Sequence, residues 1–353
     1  MTLAIFVVWV YNVVMSNDSD GEFTSGNSDL LERHYEKDGA RKVTDRFRLY
    51  DLAANPCNFE LKTVDTLTSL TAIGDNTILD LGTSDAHFLQ LLHLCDHRGR
   101  LIGVEPNTEQ YNQGPLWQPL DPDPIFEAIK KSSGLEASEE YLRELASTVS
   151  HSVPDGIELF EGNANYIPLP SDSVDVLTAM FMFYHVPEDK QEQAYAEIKR
   201  VIKPDGLFIL TTSGKDNKKQ HRVLEKAIAE RLGITEPALM NSGFTTEKAE
   251  VELPKHFRYI YRFLHNDKIQ ITDNYGVRCY LRSQQSLMDQ YDPVPDKETF
   301  DDVLAKIVFD VIMKAIAQKK VFTDPIRQSM FLCSDVPLIG VPPEFEPISE
   351  KAA

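Results

Sequence analysis

Basic clusters are scarce in this sequence. Its 353 residues carry a formal net charge of −19, and no grouping of lysine or arginine exceeds Lys215-x-x-Lys218-Lys219. A protein that tracks a phosphate backbone needs a concentrated basic footprint, so a nucleic-acid partner is disfavoured. Cysteine is sparse as well. Cys57, Cys95, Cys279 and Cys333 lie far apart with no Cys-x-x-Cys pair, which argues against a zinc cluster or a disulfide framework and suits a reducing cytoplasm. Internal repeats are lacking. No set of acids has a convincing metal-binding spacing either, so no metal is expected.

The N-terminus lacks positive charge. Residues 2–14 are almost wholly apolar, and no basic residue precedes Arg33, so the positive region of a secretory leader is missing. As a helix this stretch spans about 20 Å, short of the roughly 30 Å hydrocarbon core. We read it as an extension upstream of a start at Met15, with a membrane-surface anchor as the alternative, and expect no stable membrane insertion. Residues 16–28 are rich in Ser, Asn, Asp and Gly, a composition expected to stay disordered.

What is present begins at residues 77–107. Ile78-Leu79-Asp80-Leu81 is an apolar run broken by one carboxylate, and it reads as a buried parallel strand. Gly82 follows, then Thr83, Ser84 and Asp85, and a helical pattern takes over at Phe88. A second apolar run, 101–104, ends on Glu105. Such a βαβ unit gathers free backbone N–H groups and one carboxylate around a nucleoside-sized crevice. Alone it fits a nucleotide-binding Rossmann unit of more than one kind. The dinucleotide fingerprint fits worse, because its second and third glycines would fall on Ser84 and His87.

The later chain adds three further signals in order. A third strand over 157–160 leads into Glu161-Gly162-Asn163-Ala164, with Leu169-Pro170 shortly after. A fourth strand over 174–178 runs into Ala179-Met180-Phe181-Met182-Phe183-Tyr184-His185-Val186-Pro187. An amphipathic helix over 188–202, with Ala194, Ile198 and Val201 inward, reaches Arg200-Val201-Ile202-Lys203-Pro204-Asp205-Gly206, whose last four residues read as a turn before a strand at 207–211.

This series resembles the class I S-adenosylmethionine-dependent methyltransferases of the small-molecule, type 11-like kind. Their Asp-x-Gly-x-Gly-x-Gly motif stands here as Asp80-Leu81-Gly82-Thr83-Ser84-Asp85-Ala86, with only the first glycine kept. Ser84 and Ala86 disfavour positive φ, so the loop is expected to differ in detail. The resemblance implies a Rossmann-like doubly wound α/β sheet of about seven strands, with a helical N-terminal cover and a cap inserted near the C-terminus. It implies S-adenosyl-L-methionine as cofactor, bound by Asp80, Gly82, Thr83, Ser84, Asp85, Glu105, Asn163, Ala164 and Met180. Within that set Glu105 would grip the ribose hydroxyls, and the Asn163 carbonyl would accept the adenine amine hydrogen. Phe181 and Tyr184 are candidate substrate-binding residues. His185 is the candidate catalytic base, with packing at the start of the next helix as the alternative role.

The domain plan that follows is 1–28 as extension, 29–76 as N-terminal helices over the cofactor, and 77–335 as the methyltransferase domain. Insertions are expected at 107–156 and 257–320, and a tail at 336–353. Tyr35, Arg41 and Arg46 are candidates to reach the methionine carboxylate, and the 257–320 insertion is where acceptor choice would lie. A third N-terminal helix is expected over 63–70, a strand or hairpin over 269–281, an amphipathic helix over 300–316 and a last strand over 329–334. The aromatic alternation at Phe257, Tyr259, Tyr261 and Phe263 reads as a strand whose stripe faces the core. The expected activity is methyl transfer to a small-molecule acceptor at O, N or C. An RNA or protein methyltransferase, or a non-catalytic binder of the cofactor, is the alternative.

Overall fold

In a computed structural model of the chain, the described residues are 52–106, 156–235 and 243–350, apart from single positions within them, Asp85 among these. The expected segments over 1–51, with Tyr35, Arg41 and Arg46, and nearly all of the 107–156 insertion lie outside the described residues.

The first strand, β1 (Ile78–Leu81), is buried along its whole length. It is flanked by β2 (Leu101–Glu105) and β4 (Val174–Met180), with β3 (Ile157–Glu161) outside β2 and β5 (Ile202–Ser213) outside β4. These five strands pair in parallel. Strands covered on both faces are held to unbroken apolar sequence, which is why Ile78, Leu79 and Leu81, with Ile102 and Val104, read so plainly. Beyond β5 the order continues with β7 (Phe322–Ser334), β6 (Tyr259–Ile271) and β8 (Glu346–Glu350). β5 and β7 are antiparallel, as are β6 and β8. The sheet therefore has eight strands in the order β3-β2-β1-β4-β5-β7-β6-β8. β8 lies in the stretch expected to be a tail.

The chain divides into two compact units. One contains residues 58–213, 243–264 and 328–353. Its helices are α1 (Phe59–Ser69), α2 (His87–Leu94), α3 (Gln191–Val201) and, later, α5 (Thr246–His256). Its core joins Leu79, Leu177, Phe183, Ile198, Phe208 and Phe331. The other contains 1–57, 214–242 and 265–327. Its described helices are α4 (Lys219–Leu232), α6 (Asn274–Gln285) and α7 (Lys297–Val308), followed by a π-turn (Phe309–Met313). Leu224, Tyr280, Tyr291, Phe300, Leu304 and Phe322 belong to its separate core.

Four local expectations are corrected. α1 starts at Phe59 rather than at 63, because Asn58 Oδ1 accepts the N–H groups of Glu60 and Leu61 and caps the helix. Over 269–281 the strand ends at Ile271 and α6 begins, with Val277, Tyr280 and Gln284 buried at three- and four-residue spacing. On β6 the buried residues are Ile260, Ile269 and Ile271, while Tyr259, Tyr261 and Phe263 are only half-buried, so of the aromatic stripe only Phe257, just ahead of the strand, faces inward. Residues 203–206 stay in β5 but bulge: Val174 pairs with Ile202 and Val176 with Leu207. Gly206 is required there, since a Cβ would lie 2.9 Å from Asp175 O. The expected turn is thus an irregularity within β5 rather than a break before it.

Candidate functional site

The carboxyl ends of β1, β2 and β4 converge on the turn between β1 and α2. Gly82, Ser84 and Ala86 have φ of 73°, 52° and 61°. All three positions that carry glycine in the family motif are thus left-handed here, although two carry side chains. Ser84 and Ala86 adopt positive φ although both disfavour it, at a cost of about 1–2 kcal/mol for each. Hydrogen bonds hold the turn. Gly82 and Thr83 donate to Val104 O at 2.8 and 3.4 Å, and Ala86 to Thr83 O at 2.9 Å. Ser84 N–H donates to Glu105 Oε2 at 3.0 Å. A Cβ on Gly82 would stand 2.9 Å from Met182 Cβ, and one on Gly103 2.6 Å from Thr83 Cγ2.

Glu105 is 8% exposed at the end of β2. Asp80, 4% exposed, faces Thr178 across the β1–β4 register and accepts its hydroxyl at 2.6 Å. Burial raises the Asp80 carboxyl to about 7, with Glu60 and Glu105 adding to the rise and the hydroxyls of Thr178 and Thr83 opposing it.

Beside Glu105, Gly162 N–H donates to Glu105 O at 3.2 Å, which brings Asn163 and Ala164 to the same edge. Ala164 is buried and Asn163 exposed. Asn163 Oδ1 accepts the Asn165 N–H at 2.9 Å, an Asx turn. The side-chain carbonyl expected to meet an adenine amine is therefore engaged in shaping its own loop.

At the end of β4, Met180 is half-buried and receives the Thr63 hydroxyl at 3.7 Å on its sulfur. Phe181 has φ 49°, an outlier for a bulky side chain. Its N–H is held twice, by Thr211 Oγ1 at 2.9 Å and Thr211 O at 3.2 Å. The Phe181 ring meets Phe59 of α1 edge-on at 5.2 Å. A 3-10 turn (Phe183–His185) follows, anchored by buried Phe183 against Phe244 at 4.7 Å and Tyr195 at 5.0 Å. Tyr184 and His185 are half-buried with ring centroids 4.5 Å apart, and His185 N–H donates to Met182 O at 2.8 Å.

Sequence inspection expected a helix over 63–70 but missed its first turn, with Glu60, and missed Thr178. Glu60 Oε2 lies 2.8 Å from His87 Nδ1, which ties the first turn of α1 to the first residue of α2. The signal for α1 was Asn58 just ahead of Phe59-Glu60; Thr178 gives none. Asp85 falls outside the described residues, so the structure brings together Asp80, Gly82, Thr83, Ser84, Glu105, Asn163 and Ala164, with Met180 at the end of β4 and Phe181 just after it. No helix among the described residues is long and apolar enough to cross a membrane.

A methyltransferase domain family matches residues 120–210, so the match covers β3, β4, α3 and most of β5 but not the β1–α2 turn. The methyltransferase YcgJ of Bacillus subtilis (strain 168) is 27% identical over 82 residues, 23% of this chain and 32% of that protein. Demethylmenaquinone methyltransferase of Listeria monocytogenes serotype 4a (strain HCC23) is 32% identical over 85 residues, 24% of this chain and 35% of that protein. The chain therefore spans about a third of the length of these curated relatives. Among solved structures, a Bacillus halodurans C-125 methyltransferase aligns with a TM-score of 0.43 at 12% identity, covering 78% of this chain and all of that one.

Proposed function

We propose that this chain, which carries a domain of the class I S-adenosylmethionine-dependent methyltransferases, binds S-adenosylmethionine at the ends of β1, β2 and β4 and passes its methyl group to a small-molecule acceptor. The single observation that carries the reading is the bond between Ser84 and Glu105. It joins a turn with three left-handed residues to a buried carboxylate at the end of the next strand. That donor set fits the cofactor. A carboxylate is an acceptor-only group with two oxygens, suited to a pair of ribose hydroxyls, and the turn opens onto the start of α2, where backbone N–H groups favour anionic ligand groups.

When bound, the cofactor supplies a sulfonium methyl that is already activated. The chain's own residues then have little covalent chemistry to do. Glu105 holds the ribose, and the Gly82–Ala86 turn positions the nucleoside. Met180 and Phe181 line the end of β4 and exclude water from the acceptor. Where the acceptor must lose a proton, His185 is our candidate to take it.

Calorimetry should detect S-adenosylmethionine and its demethylated product and give no heat with NAD. Glu105→Ala should weaken cofactor binding by about 1.5–3 kcal/mol, since hydrogen bonds to charged groups contribute that much. Unchanged affinity in a folded Glu105→Ala protein would remove the basis of the assignment. Incubation with labelled cofactor and separated cell fractions addresses the acceptor. Label in the small-molecule fraction supports the proposed class, and label only in protein or RNA overturns it.

A further inference from the structure

We infer that Glu192, Glu252 and His256 form a site for a divalent transition-metal ion of the zinc kind, one that clasps α3 to α5. Glu252 and His256 are four residues apart on α5 and share a face. Glu192 lies in the first turn of α3. One ligand atom from each lies within 4.8 Å of the other two, and His256 Nε2 is 3.7 Å from Glu192 Oε1. That separation is too long for a hydrogen bond. His256 Nε2 is also shielded from solvent and has no hydrogen-bond partner. An ion bound tetrahedrally at about 2.0–2.2 Å from each atom would hold them about 3.3–3.6 Å apart. Small side-chain rotations bridge that difference.

The electrostatics favour a ligand as well. Glu192 and Glu252 bring two carboxylates together, and the cation recorded against them is Lys255, 2.6 Å from Glu252.

A second feature points to the same place. Tyr195 is 1% exposed, and its hydroxyl has no hydrogen-bond partner. Its ring stacks on the His256 imidazole with centroids 4.0 Å apart and planes at 18°. Burial above all, then Cys333, Glu252 and Glu192, opposes its ionisation. A buried, unpartnered O–H on a ring stacked against the imidazole is suited to serve as an outer partner of a metal site. Imidazole among the ligands selects zinc, cobalt or nickel over magnesium or calcium. None of these side chains belongs to the β1–α2 turn or to the end of β4, so the role inferred is structural, fastening two helices of one unit.

The test uses the full chain after chelator treatment, titrated by calorimetry with zinc and separately with magnesium. One zinc site is expected, with no magnesium binding at the same concentrations. Cobalt in place of zinc should show the visible absorption of a four-coordinate ion. His256→Asn and Glu252→Gln should each weaken zinc at least tenfold, and zinc should raise the melting temperature of the parent protein but not of these variants. Glu192→Gln alters an exposed side chain (75%), so it should melt like the parent without metal and still lose at least tenfold in affinity. Tyr195→Phe should weaken zinc less than the ligand variants do. Absence of zinc binding, or unchanged affinity in Glu192→Gln, overturns the site even if the His256 variant fails to fold.

Discussion

The backbone N–H of Ser84 is bonded to the carboxylate of Glu105 at 3.0 Å. The residue at the second glycine position of the turn is thereby fixed to the acid of the neighbouring strand. Because the bond uses the main chain, it tolerates a change of side chain at 84 but not a change of backbone conformation.

Ser84→Gly should therefore keep the bond and relieve the left-handed strain. Relief of about 1–2 kcal/mol is offset by the roughly 0.5–1 kcal/mol entropic cost of glycine. The expected outcome is a protein about 0.5–1 kcal/mol more stable with unchanged cofactor affinity. Ser84→Val, which is β-branched at φ 52°, should be destabilised by more than about 1 kcal/mol. Denaturant unfolding of the pair measures both, and equal stabilities would mean that the strain is absent.

Gly82 combines a left-handed backbone with a close approach to Met182. Gly82→Ala adds both strain and overlap and should cost about 2–4 kcal/mol. Gly233 has a similar φ of 69°, and no atom within 4 Å would meet an added Cβ. Gly233→Ala should then show the strain alone, about 1–2 kcal/mol. Equal losses would argue that contact with Met182 is immaterial.

Asp80 sets a pH dependence. Its carboxyl rises from 3.8 to about 7 on burial, so the folded protein keeps a proton that the unfolded chain releases. Its stability contribution is fully present below about pH 4 and is lost as pH climbs through about 7. Asp80→Asn still offers the Thr178 hydroxyl an acceptor and does not titrate. The stability of Asp80→Asn relative to the parent should increase from pH 4 to pH 8, on the order of a few kcal/mol. A difference that is flat with pH would contradict this placement of the proton.

His185 and Thr211 separate chemistry from support. As the base, His185→Ala should lower turnover by roughly 10²–10⁴ with little effect on cofactor affinity or melting temperature. Joint loss of stability and affinity would assign it to packing, and full turnover at pH 7 would end its catalytic role. Thr211→Val removes one of the two acceptors that hold Phe181. It should cost about 1 kcal/mol in stability and impair turnover more than cofactor binding, because the residue it releases lies on the acceptor side of β4 in the proposed function. An equal fall in both would count against that role for Phe181.

The sequence alone determined the elements whose environment is uniform along their length. β1 is apolar because both faces of the sheet are covered, and α3 is amphipathic because one face meets the core at Ala194, Ile198 and Val201. The order of those elements placed Asp80, Glu105 and Met180 at strand ends, since parallel strands joined by crossovers must share one edge. It misjudged α6, which was expected to belong to a strand or hairpin over 269–281, and the burial of Tyr280 and Gln284 one turn apart decided for a helix. Only the tertiary structure decided that Ser84 and Ala86 turn left-handed. Local preference opposes that conformation, and bonds to Glu105 and Thr83 outweigh it. It alone joined Thr178 to Asp80, which are 98 residues apart, and brought Glu192 to Glu252 and His256. Residue spacing records contacts within one helix or strand. A contact between elements depends on how whole faces pack, and no local pattern records that.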